Sequence, residues 1–182
     1  MGTRAYRGLA DPAYWEAHFQ RKQFAREEWY LDPRRHAALD AFIRQALQEV
    51  QRVLVIGCGT SSLPEDLLQF GIPEVSAIDF CPSLIEQRQQ AANGVQYYCM
   101  DATAMTFADQ SIQAVVDKGT ADAICASWDQ AQRLLGEIER VLQRDGCYLL
   151  ISCNPPRMVQ GFFGTRLRRW QMSHTAFDRV DE

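Results

Sequence analysis

The sequence predicts a doubly wound α/β domain built on a mostly parallel sheet. Two observations carry that expectation. Short apolar runs recur with amphipathic helical segments between them, and the first run passes straight into a Gly-Cys-Gly turn at 57–59. A parallel strand reads as a continuous apolar run because helices cover both faces of its sheet. A length of 182 residues leaves room for one such domain. It divides into an aromatic and helical cap over 1–50, a ligand-binding core over 51–153, and a short C-terminal region over 154–182.

The elements follow in order. A short aromatic-rich helix is expected from Pro12 to about Phe19, and helical spacing continues over Pro33–Glu49 through Leu39, Phe42, Ile43, Ala46 and Leu47. Val53–Ile56 reads as a strand, Leu63–Phe70 as a helix and Val75–Ile78 as a strand. Pro82–Ala91 is then helical, and Val95–Cys99 and Ile112–Val116 are strands. Asp129–Leu142 is an amphipathic helix with Ala131, Leu134, Leu135, Ile138 and Val141 on one face. Asp145-Gly146 ends it, and Cys147–Ser152 is a fifth strand. Beyond Asn154-Pro155-Pro156 only one further strand is expected, over Leu167–Phe177.

Open parallel sheets bind ligands at the carboxyl ends of their strands. Gly57, Cys58 and Gly59 follow the first strand, Asp79-Phe80 the second, Asp101-Ala102 the third and Asp117-Lys118 the fourth. Asp79 stands 22 residues past Gly57, where an acid accepts hydrogen bonds from ribose hydroxyls. That spacing suits NAD and S-adenosylmethionine alike. Two features separate them. Ser62 occupies the place of the third glycine that a pyrophosphate requires, and Asp101 adds a second carboxylate suited to an adenine amine, with the Ala102 backbone reading the ring. Acids with few basic groups favour a sulfonium over a dinucleotide. Singly, each residue has a plainer reading: the glycines as tight geometry, Asp79 as a helix start, Asp101 as a turn acid. Their joint placement after successive strands carries the assignment.

Composition narrows the partners. A net charge of −4 and a pI near 5.4 provide no overall basic field for nucleic acid. The cluster Arg166, Arg168 and Arg169 reads as a solvated face. Six cysteines occur singly without metal-ligand spacing, so neither a disulfide framework nor a metal site is expected, and the compartment is reducing and cytoplasmic. No apolar stretch reaches membrane-spanning length.

VLVIGCGTSSL at 53–63, AIDF at 77–80, MDATAMTF at 100–107 and above all VVDKGTADAI at 115–124 resemble the methyltransferase-like protein lysine methyltransferases. AYWEAHF at 13–19 and EEWY at 27–30 extend the likeness to an aromatic N-terminal signature. Members of that group modify elongation factor 1-alpha, and a relative modifies citrate synthase. The resemblance implies a Rossmann-like class I methyltransferase fold and a protein substrate. It implies that S-adenosylmethionine is held by Trp15, Phe19, Trp29, Gly57, Asp79, Phe80, Asp101, Ala102 and Lys118, and is released as S-adenosylhomocysteine. The three N-terminal aromatics would fold over the sulfonium, where an indole face gains roughly 0.5–2 kcal/mol; without the family match they read as core staples. Lys118 is the odd member, because a cation beside a sulfonium is unfavourable, so its backbone is the expected contact.

His18 and Ala121 depart from the family pattern, which usually carries Arg and a larger apolar residue there. The family also finishes with an antiparallel strand pair. The 29 residues after Cys153 accommodate one strand, leaving an edge open or available to a neighbouring chain. No general base stands out; Asp117 is the candidate for orienting an incoming amine, with capping of the next helix or pairing with Lys118 as its alternative roles. Transfer to a small molecule, and cofactor binding without transfer, stay open as alternatives to protein lysine methylation.

Overall fold

The computed structural model describes residues 11–91, 93–125, 127–164 and 170–177. Five strands form one sheet in the order β3-β2-β1-β4-β5. They are β1 (Arg52–Ile56), β2 (Glu74–Asp79), β3 (Gln96–Cys99), β4 (Ile112–Lys118) and β5 (Leu142–Ile151), and every pairing is parallel. The helices are α1 (Pro12–Arg21), α2 (Ala37–Ala46), α3 (Leu63–Gln69), α4 (Pro82–Gln90), α5 (Thr120–Ile124), α6 (Trp128–Val141) and α7 (Pro156–Phe163). A 3₁₀ turn at Pro33–Arg35 precedes α2, so the helical spacing expected over Pro33–Glu49 is broken at His36, whose ring accepts from the Leu39 N–H and caps the second piece.

The sheet is buried on both faces, as apolar runs demand. Val53 and Val55 of β1 pack with Leu39, Ile43 and Leu67 on one side. Leu54 and Ile56 pack with Leu134, Leu135 and Ile138 on the other. Alternation along a strand sends neighbours to opposite layers, and the named residues of both layers are buried. In α6 the residues Ala131, Leu134, Leu135, Ile138 and Val141 are fully buried, and Ser127 caps the helix by accepting from the Gln130 N–H at 3.4 Å.

Two expectations are corrected. The Asp145-Gly146 turn does not separate α6 from the fifth strand. Leu142 already pairs with Ile112, and the register shifts before Cys147 meets Ala114, so the turn lies inside β5 as an irregularity. Gly146 is needed there because a Cβ would approach the Gln113 carbonyl oxygen to 2.9 Å. The described part of the expected strand Leu167–Phe177, residues 170–177, forms no strand. Phe177 instead packs edge-on against His36 and Phe42. Among the described residues β5 is therefore an edge of the sheet. Arg166, Arg168 and Arg169 lie outside the described residues, and no described helix is long and apolar enough to cross a membrane.

Candidate functional site

Strand order reverses between β1 and β4, and a deep cavity opens there, at the carboxyl ends of the strands. Its floor is the turn after β1. Gly57 and Gly59 both adopt left-handed backbone, at φ +56° and +51°. Gly57 is doubly constrained, since a Cβ would lie 2.1 Å from Thr120 Oγ1, a hydroxyl that donates to the Ile56 carbonyl at 2.9 Å. A side chain at 57 is thus excluded by a protein neighbour, and the turn lines the cavity.

Asp79 spans two loops. One carboxylate oxygen accepts from the Gly59 N–H at 3.0 Å and the other from the Cys81 N–H at 3.1 Å. Burial pushes its carboxyl above the usual range, with the two N–H groups opposing. The Cys81 thiol and the Phe80 N–H lie close enough to add to these bonds, and the residue lines the cavity. Asp101 uses Oδ1 for the Thr103 N–H and hydroxyl, at 2.8 and 2.9 Å, and is exposed to the cavity.

The N-terminal segment closes the remaining side. Trp15 stacks on Phe19 at 5.7 Å and meets Trp29 edge-on at 5.5 Å. Phe19 and Phe80 share a small apolar cluster with Cys81 and Leu84. The segment is tied down by polar bonds at successive residues. The Glu27 N–H donates to Thr60 Oγ1 at 3.0 Å, Glu28 accepts from the Ser61 hydroxyl and the Ser62 N–H, and the Tyr30 hydroxyl donates to Asp122 at 2.7 Å. Trp15, Phe19, Trp29, Gly57, Asp79, Phe80, Asp101, Ala102 and Lys118 all line this one cavity.

Asp117 is not brought to it. Its side chain is fully buried and accepts from the Thr120 and Ala121 N–H groups and, at 2.9 Å, from the Tyr148 hydroxyl. It caps α5 and ties β4 to β5, and burial pushes its carboxyl up to about 7. An incoming amine cannot reach it, so the capping role weighed in the sequence is the one the fold gives it.

Three residues that the sequence reading did not single out hold the wall in place, Tyr30 and Asp122 from the lining and Glu28 from behind it. Glu28 pairs with the Lys118 ammonium, Tyr30 closes over Gly119, and Asp122 accepts from Tyr30, Ser152 Oγ, the Cys153 N–H and Asn154 Nδ2. Glu28 and Tyr30 flank Trp29 in the EEWY stretch, and Asp122 lies within VVDKGTADAI, so the signal was local. What was missing is the pairing across the chain.

The chemistry of the lining suits an adenosyl sulfonium. Four acids, Glu27, Asp79, Asp101 and Asp122, line the cavity, and among the described lining residues Lys118 is the one lysine or arginine. Its charge is already taken by Glu28, leaving no cation for a pyrophosphate.

Comparison with known proteins shows the family and the fold. The methyltransferase domain family matches residues 54–150. The eEF1A lysine and N-terminal methyltransferase of Mus musculus is 34% identical over 96% of this chain and 26% of its own length. The Homo sapiens protein of that name is 36% identical over 76% of this chain and 21% of its own. The chain therefore spans about a quarter of the length of these relatives. Among solved structures, a TehB-like SAM-dependent methyltransferase from Corynebacterium glutamicum superposes with a TM-score of 0.58 at 19% identity, covering 84% of this chain and 82% of that one. An S-adenosylmethionine dependent methyltransferase from Mesorhizobium loti gives 0.51 at 19% identity, over 60% and 51%. These two likenesses concern the fold.

Proposed function

The chain belongs to the methyltransferase domain family, whose methyl donor is S-adenosylmethionine, and on that premise we propose that it methylates a lysine side chain of a protein. The observation that carries the reading is the convergence of Asp79, Asp101 and the bare 57–59 turn with the Trp15–Trp29 aromatic wall in one cavity. Bound there, the cofactor supplies a methyl carbon already activated by positive sulfur. Asp79 would accept from the ribose hydroxyls, Asp101 and the Ala102 N–H would read the adenine, and the Gly57–Gly59 backbone would bear the methionine part. Trp15, Phe19 and Trp29 would exclude water and offer ring faces to the sulfonium. The protein's remaining task is alignment: a neutral amine nitrogen in line with the carbon–sulfur bond, which breaks as the nitrogen–carbon bond forms.

A lysine ammonium must first lose a proton, and both desolvation by this aromatic wall and a neighbouring positive charge favour that loss. No carboxylate is needed as a strong base, which is consistent with Asp117 lying beneath the site. The relatives named for eEF1A make a lysine of that factor the first acceptor to test. Six free thiols suit a reducing compartment such as the cytoplasm. Residues 1–182 are read as one unit of cap, core and C-terminal region.

The test is incubation of the purified chain with methyl-labelled cofactor, eEF1A and a cell lysate. Label recovered as methyl-lysine in protein supports the proposal. Label in a soluble product would replace it with a small-molecule methyltransferase. Cofactor uptake with no transfer would leave a binding protein.

A further inference from the structure

Lys118 presents a physical problem. It sits at the end of β4, its side chain is buried, and it lines the cavity in which a cation is to be held. A like charge on the wall opposes the ligand, and burial strengthens the repulsion because solvent screens it less. The fold answers from a residue 90 positions away: the Lys118 ammonium pairs with Glu28. Burial by itself would push the Glu28 carboxyl up, but the Lys118 charge and the bonds from Ser61 and Ser62 outweigh it and hold the group at about 2. The glutamate is therefore fully ionised at neutral pH; it is shared with Arg26, at 2.9 Å, which in turn pairs with Asp32 at 2.9 Å, so the four charges together sum to zero.

We propose that Glu28 sets the cavity's preference between S-adenosylmethionine and its demethylated product by neutralising Lys118. The inference rests on the reading that the cavity holds this cofactor. The two ligands share every hydrogen-bonding group and differ by a methyl and one positive charge. A wall that carries a bare cation would penalise the donor and spare the product, which is the opposite of what turnover requires. Glu28 also orders the Ser61–Ser62 backbone beside the glycine turn, accepting from Ser61 Oγ at 2.7 Å and from the Ser62 N–H at 2.8 Å. That ordering would serve both ligands equally. Charge and order can thus be told apart by the ratio of two affinities.

The experiment titrates both ligands into the wild type, Glu28→Gln, Lys118→Met and the double variant, with a melting curve for each. Glu28→Gln is expected to weaken the donor about tenfold more than the product, since it leaves the lysine charge uncompensated. Lys118→Met removes one positive charge from the cluster and leaves Glu28 with Arg26 as its cation, at 2.9 Å, so it should move the ratio the other way. The double variant, neutral again but lacking the same loop contacts, should return the ratio close to that of the wild type. Equal weakening of both ligands by Glu28→Gln, or a ratio in the double variant still displaced as in the single one, would overturn the proposal. Failure of the wild type to bind either ligand would instead remove the cofactor reading itself, and this inference with it.

Discussion

Replacing Gly57 by Ala tests whether the glycine turn is shaped by its ligand or by its protein neighbour. Three costs add. The left-handed backbone at φ +56° penalises an L-residue by about 1–2 kcal/mol. The new Cβ falls 2.1 Å from Thr120 Oγ1 and 3.0 Å from Thr120 Cβ and Cγ2, an overpacking worth about 1–3 kcal/mol. Moving that side chain also breaks the Thr120 hydroxyl bond to the Ile56 carbonyl, about 1 kcal/mol. The expected loss is about 3–6 kcal/mol in the absence of any ligand. At about 2–4 °C per kcal/mol for a chain of this size, melting should fall by about 10 °C. The assay is urea unfolding of Gly57→Ala, Thr120→Ala and the double variant. Thr120→Ala alone should cost about 1 kcal/mol, and in the double variant the penalty should fall short of the sum by about 1–2 kcal/mol, because the colliding hydroxyl is gone. Additivity to within about 0.5 kcal/mol would refute the reasoning. So would a Gly57→Ala protein as stable as wild type that merely loses ligand.

Two further outcomes follow from the carboxylates. Asp101→Asn keeps an acceptor for Thr103 but replaces the other oxygen with a donor, so S-adenosylhomocysteine affinity measured by calorimetry should fall about tenfold while unfolding stability stays within about 0.5 kcal/mol. Asp117 has a folded-state pKa of about 7, above its ordinary value of 3.8. The folded protein therefore binds more protons than the unfolded chain between about pH 4 and 7, and stability contributed by this group is lost as pH rises through that window. Asp117→Asn should flatten the decline, by at most about 2 kcal/mol between pH 5 and pH 7, in urea unfolding compared at those two values. An unchanged slope would show that the carboxyl does not titrate there.

Much of the cavity's composition was legible in the chain, because strand periodicity and parallel topology together dictate which residues follow each strand. Gly57, Asp79, Asp101 and Lys118 meet for that reason alone. The aromatic residues 15, 19 and 29 were legible only through a pattern borrowed from relatives; periodicity reads them equally well as core. Asp117 shows the limit from the other side. It also follows a strand, and in the chain it is indistinguishable from a ligand-facing acid, yet its side chain turns to Tyr148 and the start of α5.

Local sequence determined β1 to β4, most of α1 to α4 and α6, and the glycine turn, since apolar alternation, caps and backbone freedom act over a few residues; α5 and α7 carried no signal that was read. The irregularity in β5 needed more, because Gly146 answers to a carbonyl on the adjacent strand. The tertiary structure alone decided that Glu28 meets Lys118, that Tyr30 meets Asp122, and that Thr120 occupies the space over Gly57. Those contacts join residues 63 to 92 positions apart, where no periodicity operates and only the packed arrangement of the sheet brings charge to charge.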